Sequence, residues 1–199
     1  MTGYLNTERL RTLADSVLLV GITILAYNLV PPSVINGQLN EVEIQDFFNN
    51  LYALISSFVV ILILWILYMK ILDYLERPNE VIVIISITFF ILVLLTPVFT
   101  VGTFQYNNWR SLASLALLQI VNSLLLMALW TYILKSKLLV QQFKHEYNRN
   151  MYSGLAVIPS IYAISMVIGF VNVDAASIFP VFMIPIILML SMVYRRKEV

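Results

Sequence analysis

The residues whose types and spacing most invite a chemical reading sit in one apolar run near the start of the chain, RLRTLADSVLLVGITILAYNL, from Arg9 to Leu29. Arg11 and Asp15 are four apart and share a helix face, where a carboxylate entering an apolar environment needs a partner. Further on, Ser16, Val20, Thr23 and Tyr27 recur at spacings of four, three and four, one stripe of a helix, with Leu19 and Ile24 beside it. Copies of such a stripe around an axis would present alternating rings of hydroxyls and branched aliphatics. Hydroxyl oxygens can replace part of a cation's hydration shell, and an apolar ring can close a pore by dewetting. A plainer reading stays open: Thr23 bonds back to the carbonyl of Leu19 and Ser16 to that of Thr12, as such residues do inside membranes. Asp15 likewise reads as an anchoring salt-bridge partner that fixes this helix against its neighbours.

Elsewhere the chemistry is thin. Cysteine is absent and His145 is the sole histidine, so a thiolate site, a histidine-based metal centre or a histidine-assisted hydrolase has little to be built from. No nucleophile and base stand out as a pair, and the expectation is a protein that is not an enzyme and carries no cofactor. Gln119, Asn122 and Ser123, three and four apart, read as hydrogen-bonding links between helices, as do Ser86, Thr88, Ser56 and Ser57. Pro97, Pro159, Pro180 and Pro185 are expected to bend the helices that hold them.

The elements that must position the stripe follow from composition. The chain has 199 residues, 60% hydrophobic and 12% charged, too little polar surface to cover a water-soluble globule of this size. It reads as an all-α integral membrane protein, a single domain over 1–199. Six runs are long enough to cross a bilayer: residues 10–30, 47–72, 81–103, 112–134, 151–171 and 175–194. The links between them are too short for a folded catalytic domain, and unbroken runs of this length must pair their backbone groups internally, as helices.

Charge is sorted along the chain although the net value is only +1. With six alternating helices, Arg9, Arg11, Lys70, Arg77, Lys135, Lys137, Lys144, Arg149, Arg195, Arg196 and Lys197 fall on one side and Arg110 alone on the other. That asymmetry predicts both termini in the cytoplasm, with Glu41, Glu43, Asp46 and Asp174 forming an acidic outer rim. Tyr68, Tyr74, Tyr106, Trp109, Tyr147 and Tyr194 suit the headgroup belts. No small-x-small cleavage site follows the first run before Pro31 and Pro32, so it is expected to be retained rather than removed as a signal peptide.

The first run resembles the opening helix of the prokaryotic relatives of transmembrane protein 175, a family of potassium channels with the signature R-x-x-x-F-S-D. The aligned residues are Arg9, Leu13, Ala14 and Asp15, with Leu and Ala in place of Phe and Ser, and VLLVGITILAYNL continues the family's aliphatic and threonine-rich pattern. SFVVILILW, Ser57 to Trp65, resembles the S-F-x6-W of its second helix, and LLTPVFT, with Pro97 and Thr100, the end of its third. The histidine pair that often follows the Trp is Tyr68 and Met69 here, with Lys70 in place of Arg. Helices four to six resemble the family's only in number and length.

The resemblance implies a homotetramer in the cell membrane whose four first helices line a central pore passing potassium passively. Carried over by position, Val20 forms the narrowest aliphatic ring, with Ile24 one turn outward and Tyr27 beyond it, while Thr23 matches the hydroxyl ring tied to potassium preference. The partners implied are other copies of the chain, the lipid bilayer and monovalent cations, with no nucleic acid. A rival reading is a small proton-coupled transporter in which Asp15 titrates.

Overall fold

The structure, a computed structural model, describes residues 6–27, 29–35, 38–136, 138–139 and 145–196. Six helices carry the fold: α1 (Thr7–Tyr27), α2 (Glu41–Asp73), α3 (Glu80–Tyr106), α4 (Trp109–Lys135), α5 (His145–Gly169) and α6 (Val173–Arg196). Of the basic residues used to orient the chain, Lys137, Lys144 and Lys197 lie outside the described residues, as do the side chains of Arg149, Arg195 and Arg196. The side chains of His145, Tyr147 and Tyr194 lie outside them as well.

Asparagine starts most of these helices. Asn40, Asn79 and Asn108 are extended cap residues whose side chains accept the backbone N–H of Val42, Ile82 and Ser111. Asn6 accepts from Glu8 N at 3.2 Å, and Asn172 from Ala175 N at 3.0 Å. Each satisfies a donor that the first turn would otherwise leave unpaired. At the far end of α3, Asn107 takes up the left-handed conformation, with φ 40°, and stops the helix with its N–H on Thr103 O.

Two departures from a purely helical chain come from the link after α1. β1 (Val34–Ile35) and β2 (Gln38–Leu39) pair antiparallel, Val34 opposite Leu39, so a small hairpin precedes α2. Helix α2 then starts at Glu41, within the acidic segment and ahead of the apolar run at 47. Glu43 is the reason. One carboxylate oxygen accepts from Asn40 Nδ2 at 3.0 Å and the other from the Ser33 backbone N–H at 2.6 Å, joining cap, helix and hairpin.

Among the described residues four helices are long and apolar enough to cross a membrane: α2, α3, α4 and residues Met151–Gly169 of α5. Short turns between α2 and α3, α3 and α4, and α5 and α6 make neighbours antiparallel. The core runs between them, with Trp130, Tyr68, Phe89, Leu64 and Leu126 among its largest fully buried side chains. Polar links cross it. Gln119 Nε2 donates to Thr96 Oγ1 at 3.1 Å, Tyr68 and Ser86 share a bond of 2.9 Å, and the Ser165 hydroxyl donates to Ala176 O. Ser123 bonds within α4, to Gln119 O, and Asn122 and Ser57 are buried. Helices α3 and α5 run through Pro97 and Pro159 without interruption.

Candidate functional site

Helix α1 packs on α2 and α3, and its two faces have opposite fates. Leu10, Ala14 and Gly21 are buried, and Val17 and Leu18 pack against the core. Ala14 and Leu18 meet Ile61 and Trp65 of α2 and Phe89, Phe90 and Val93 of α3 around a void of about 10 Å³. Gly21 packs against Ile61 of α2, where an added Cβ would stand 3.6 Å from Ile61 Cδ1, an ordinary contact.

The other face has no cover within the subunit. Ser16 and Thr23 are exposed, as are Leu19 (65%), Val20 (49%), Ile24 (40%) and Tyr27 (88%). At about 100° per residue, Ser16, Val20, Thr23 and Tyr27 fall within roughly 60° of one another, on the side away from Leu10, Ala14 and Gly21. The sequence brings these side chains into one line, and the packing of the small residues opposite leaves that line outward.

Both hydroxyls of the stripe bond back to their own helix. Thr23 Oγ1 donates to Leu19 O and Ser16 Oγ to Thr12 O, each at 2.8 Å. This bond is compatible with a role toward cations. A hydroxyl carries one donor and two lone pairs, so committing the hydrogen to a carbonyl leaves only acceptor capacity for whatever approaches the oxygen.

At the start of α1 the structure corrects the expected pairing. Arg11 does not meet Asp15; its Nη2 lies 2.6 Å from Asp73 Oδ1, at the last residue of α2. Asp15 instead accepts from Trp65 Nε1 at 2.9 Å. Four-residue spacing allowed Arg11 and Asp15 to touch, but α2 offers each a partner from the side. Asp73 was missed, although its negative charge stands in the DYLERPNE link on the same basic side as Arg11. Of the signature positions, Arg9 is exposed, Leu13 is 39% exposed and Ala14 is 2% exposed. In the supporting helices Ser57, Pro97 and Thr100 are buried, with Thr100 Oγ1 on Thr96 O, so of these positions and Trp65 it is Trp65 that bonds to α1.

Among the described residues no three of His, Cys, Asp and Glu come together as metal ligands. The arrangement provides an exposed helix edge with alternating oxygen acceptors and branched aliphatic side chains, braced at its base by two polar bonds to α2.

Comparison with known proteins bears on this edge. Residues 9–97 match the family described as "Endosomal/lysosomal potassium channel TMEM175". No curated protein matches the chain in sequence. The chain is similar to the crystal structure of a lysosomal potassium-selective channel TMEM175 homologue from Chamaesiphon minutus. The TM-score is 0.74 and the identity 15%, covering 93% of this chain and 97% of that one, so the two share a fold. The matched residues 9–97 hold most of α1, all of α2 and most of α3, and the likeness in fold extends over the remaining helices.

Proposed function

We propose that this chain is one subunit of a homotetrameric, potassium-selective leak channel in which four α1 helices surround a pore. The observation that carries the reading is the division of α1: Leu10, Ala14 and Gly21 turn into the subunit, while Val20, Thr23 and Tyr27 stand uncovered on the opposite side. A single α1 cannot enclose an axis, so closed symmetry must supply the other copies. The family match over residues 9–97 and the shared fold with a potassium-selective channel support the same reading. All six helices then cross the membrane, α1 and α6 included, with both termini cytoplasmic and the hairpin and acidic rim outside.

In this arrangement Val20 and Ile24 narrow the bore with apolar rings, and Thr23 sets four hydroxyl oxygens between them. With their hydrogens on Leu19 carbonyls, those oxygens act only as acceptors, which favours cations over anions. Partial replacement of the hydration shell by single oxygens gives a modest preference among monovalent cations. Potassium is the permeant ion, and no resident cofactor is needed.

The test is electrical recording of purified protein in liposomes under a potassium-to-sodium gradient, with the oligomer mass measured on the same preparation. The expected result is a potassium-directed reversal potential and a mass of four times 22.8 kDa. A lone subunit, or saturating pH-coupled uptake that Asp15→Asn abolishes, would overturn the channel reading in favour of a carrier.

A further inference from the structure

Arg110 is the lone basic residue on the side that holds Glu41, Glu43, Asp46 and Asp174, yet it makes no ion pair among the described residues. Two of those acids are engaged elsewhere. Glu43 holds Ser33 and Asn40, and Asp174 accepts from Asn107 Nδ2 at 2.7 Å. Arg110 lies instead on the rim of a cleft of about 400 Å³ between α3 and α4. That volume falls within the roughly 300–1,000 Å³ typical of ligand clefts.

The cleft is graded along its length. Arg110, Asn108 and Ser111 line one end, at the first turn of α4, where the helix dipole adds to the positive charge although Asn108 already caps the Ser111 amide. Val98, Phe99 and Gly102 line the other, and Val98 lies about 12 Å deeper along α3 than Tyr106. Gly102 widens the deep end: a Cβ there would meet only the Tyr106 ring, at 3.8 Å. Tyr106 and Trp109 mark the headgroup level beside the rim.

We infer that this cleft seats an anionic phospholipid, one acyl chain along Val98, Phe99 and Gly102 and its phosphodiester on Arg110 and the first turn of α4. The charge at the rim has no ion-pair partner among the described residues, and the polarity of the cleft falls in the direction in which a lipid's own polarity falls. The inference requires only that α3 and α4 cross the membrane, not that ions pass through the protein.

The test is native mass spectrometry of the full-length protein in detergent, titrated with phosphatidylglycerol, phosphatidylcholine or inorganic phosphate. Phosphatidylglycerol is expected to bind more tightly than phosphatidylcholine. Arg110→Gln should weaken it by roughly tenfold, the loss of one charged contact, whereas Arg110→Lys should retain most of the preference. Gly102→Leu, which extends into the cleft at a position where a helix gains from losing glycine, should reduce binding of both lipids while the protein stays folded. Equal binding of the two lipids with no effect of Arg110→Gln would overturn the inference. So would inorganic phosphate competing fully with phosphatidylglycerol, or a tetramer structure with a neighbouring subunit's helix lying in the cleft.

Discussion

At the scale of single residues, the proposed pore gives Thr23 and Val20 separable roles. If the Thr23 oxygens contact permeating ions, Thr23→Val removes four acceptors and leaves the bore equally wide. Reversal potentials under mixed potassium and sodium should then move toward zero, by an amount that reports the hydroxyl ring's share of selectivity. Val20→Asn places a polar amide at an apolar constriction, and single-channel current should rise because the constriction stays wet. The Trp65–Asp15 bond makes a third prediction. Trp65→Phe leaves the carboxylate without its donor and should cost about 1–3 kcal/mol of stability. Asp15→Asn keeps an accepting oxygen and should cost less, so thermal unfolding of the two variants ranks them. Equal losses would mean that Asp15 is held by its charge rather than by this bond.

At the scale of elements, the Asn40–Glu43–Ser33 cluster joins the hairpin to α2. Glu43→Ala frees the Ser33 amide and one cap, and hydrogen exchange at Ser33 should accelerate about tenfold, roughly the 1–1.5 kcal/mol of one such bond. Exchange in the buried middle of α2, around Leu64, should stay unchanged. Here the limits of reading sequence are plain. Among the described residues each helix overlaps one of the apolar runs, because a long helix that packs in a bundle needs a long apolar stretch. The start of α2 was not legible, because Glu41 to Asp46 are polar and the helix there rests on capping bonds rather than on apolar surface. The exposed stripe of α1 was legible because a 3.6-residue period is visible in one dimension. Asp73 and Trp65 as partners of Arg11 and Asp15 were not, since they lie 62 and 50 residues away and only the packing of α1 on α2 brings them close.

At the scale of the whole molecule, the proposed tetramer requires the same helix edge to be shared by four subunits. Tyr27, the most exposed residue of the stripe, would face its counterparts at the outer end of the pore. The chain has no cysteine, so Tyr27→Cys under mild oxidant can give only intermolecular disulfides at that position. A dimer band on non-reducing gels, unchanged on dilution of the proteoliposomes, is the expected outcome. Its absence at every oxidant level would separate the four edges beyond disulfide reach. In the proposed tetramer the C-terminal ends of the four α1 helices would converge there, and their partial negative charges would favour cations at the outer mouth.

The two bonds from α2 act on only one end of α1. Arg11 and Asp15 pin its base, burial ends at Gly21, and beyond that residue no described side chain of the helix is buried in its own subunit. The helix is therefore clamped most firmly at its foot, with Val20 and Ile24 farther from that clamp. A lean of a few degrees about the clamp would move Ile24, some 13 Å above Asp15, by about 1 Å. In the proposed pore such a lean would widen or shut the throat while the rest of the subunit stands still.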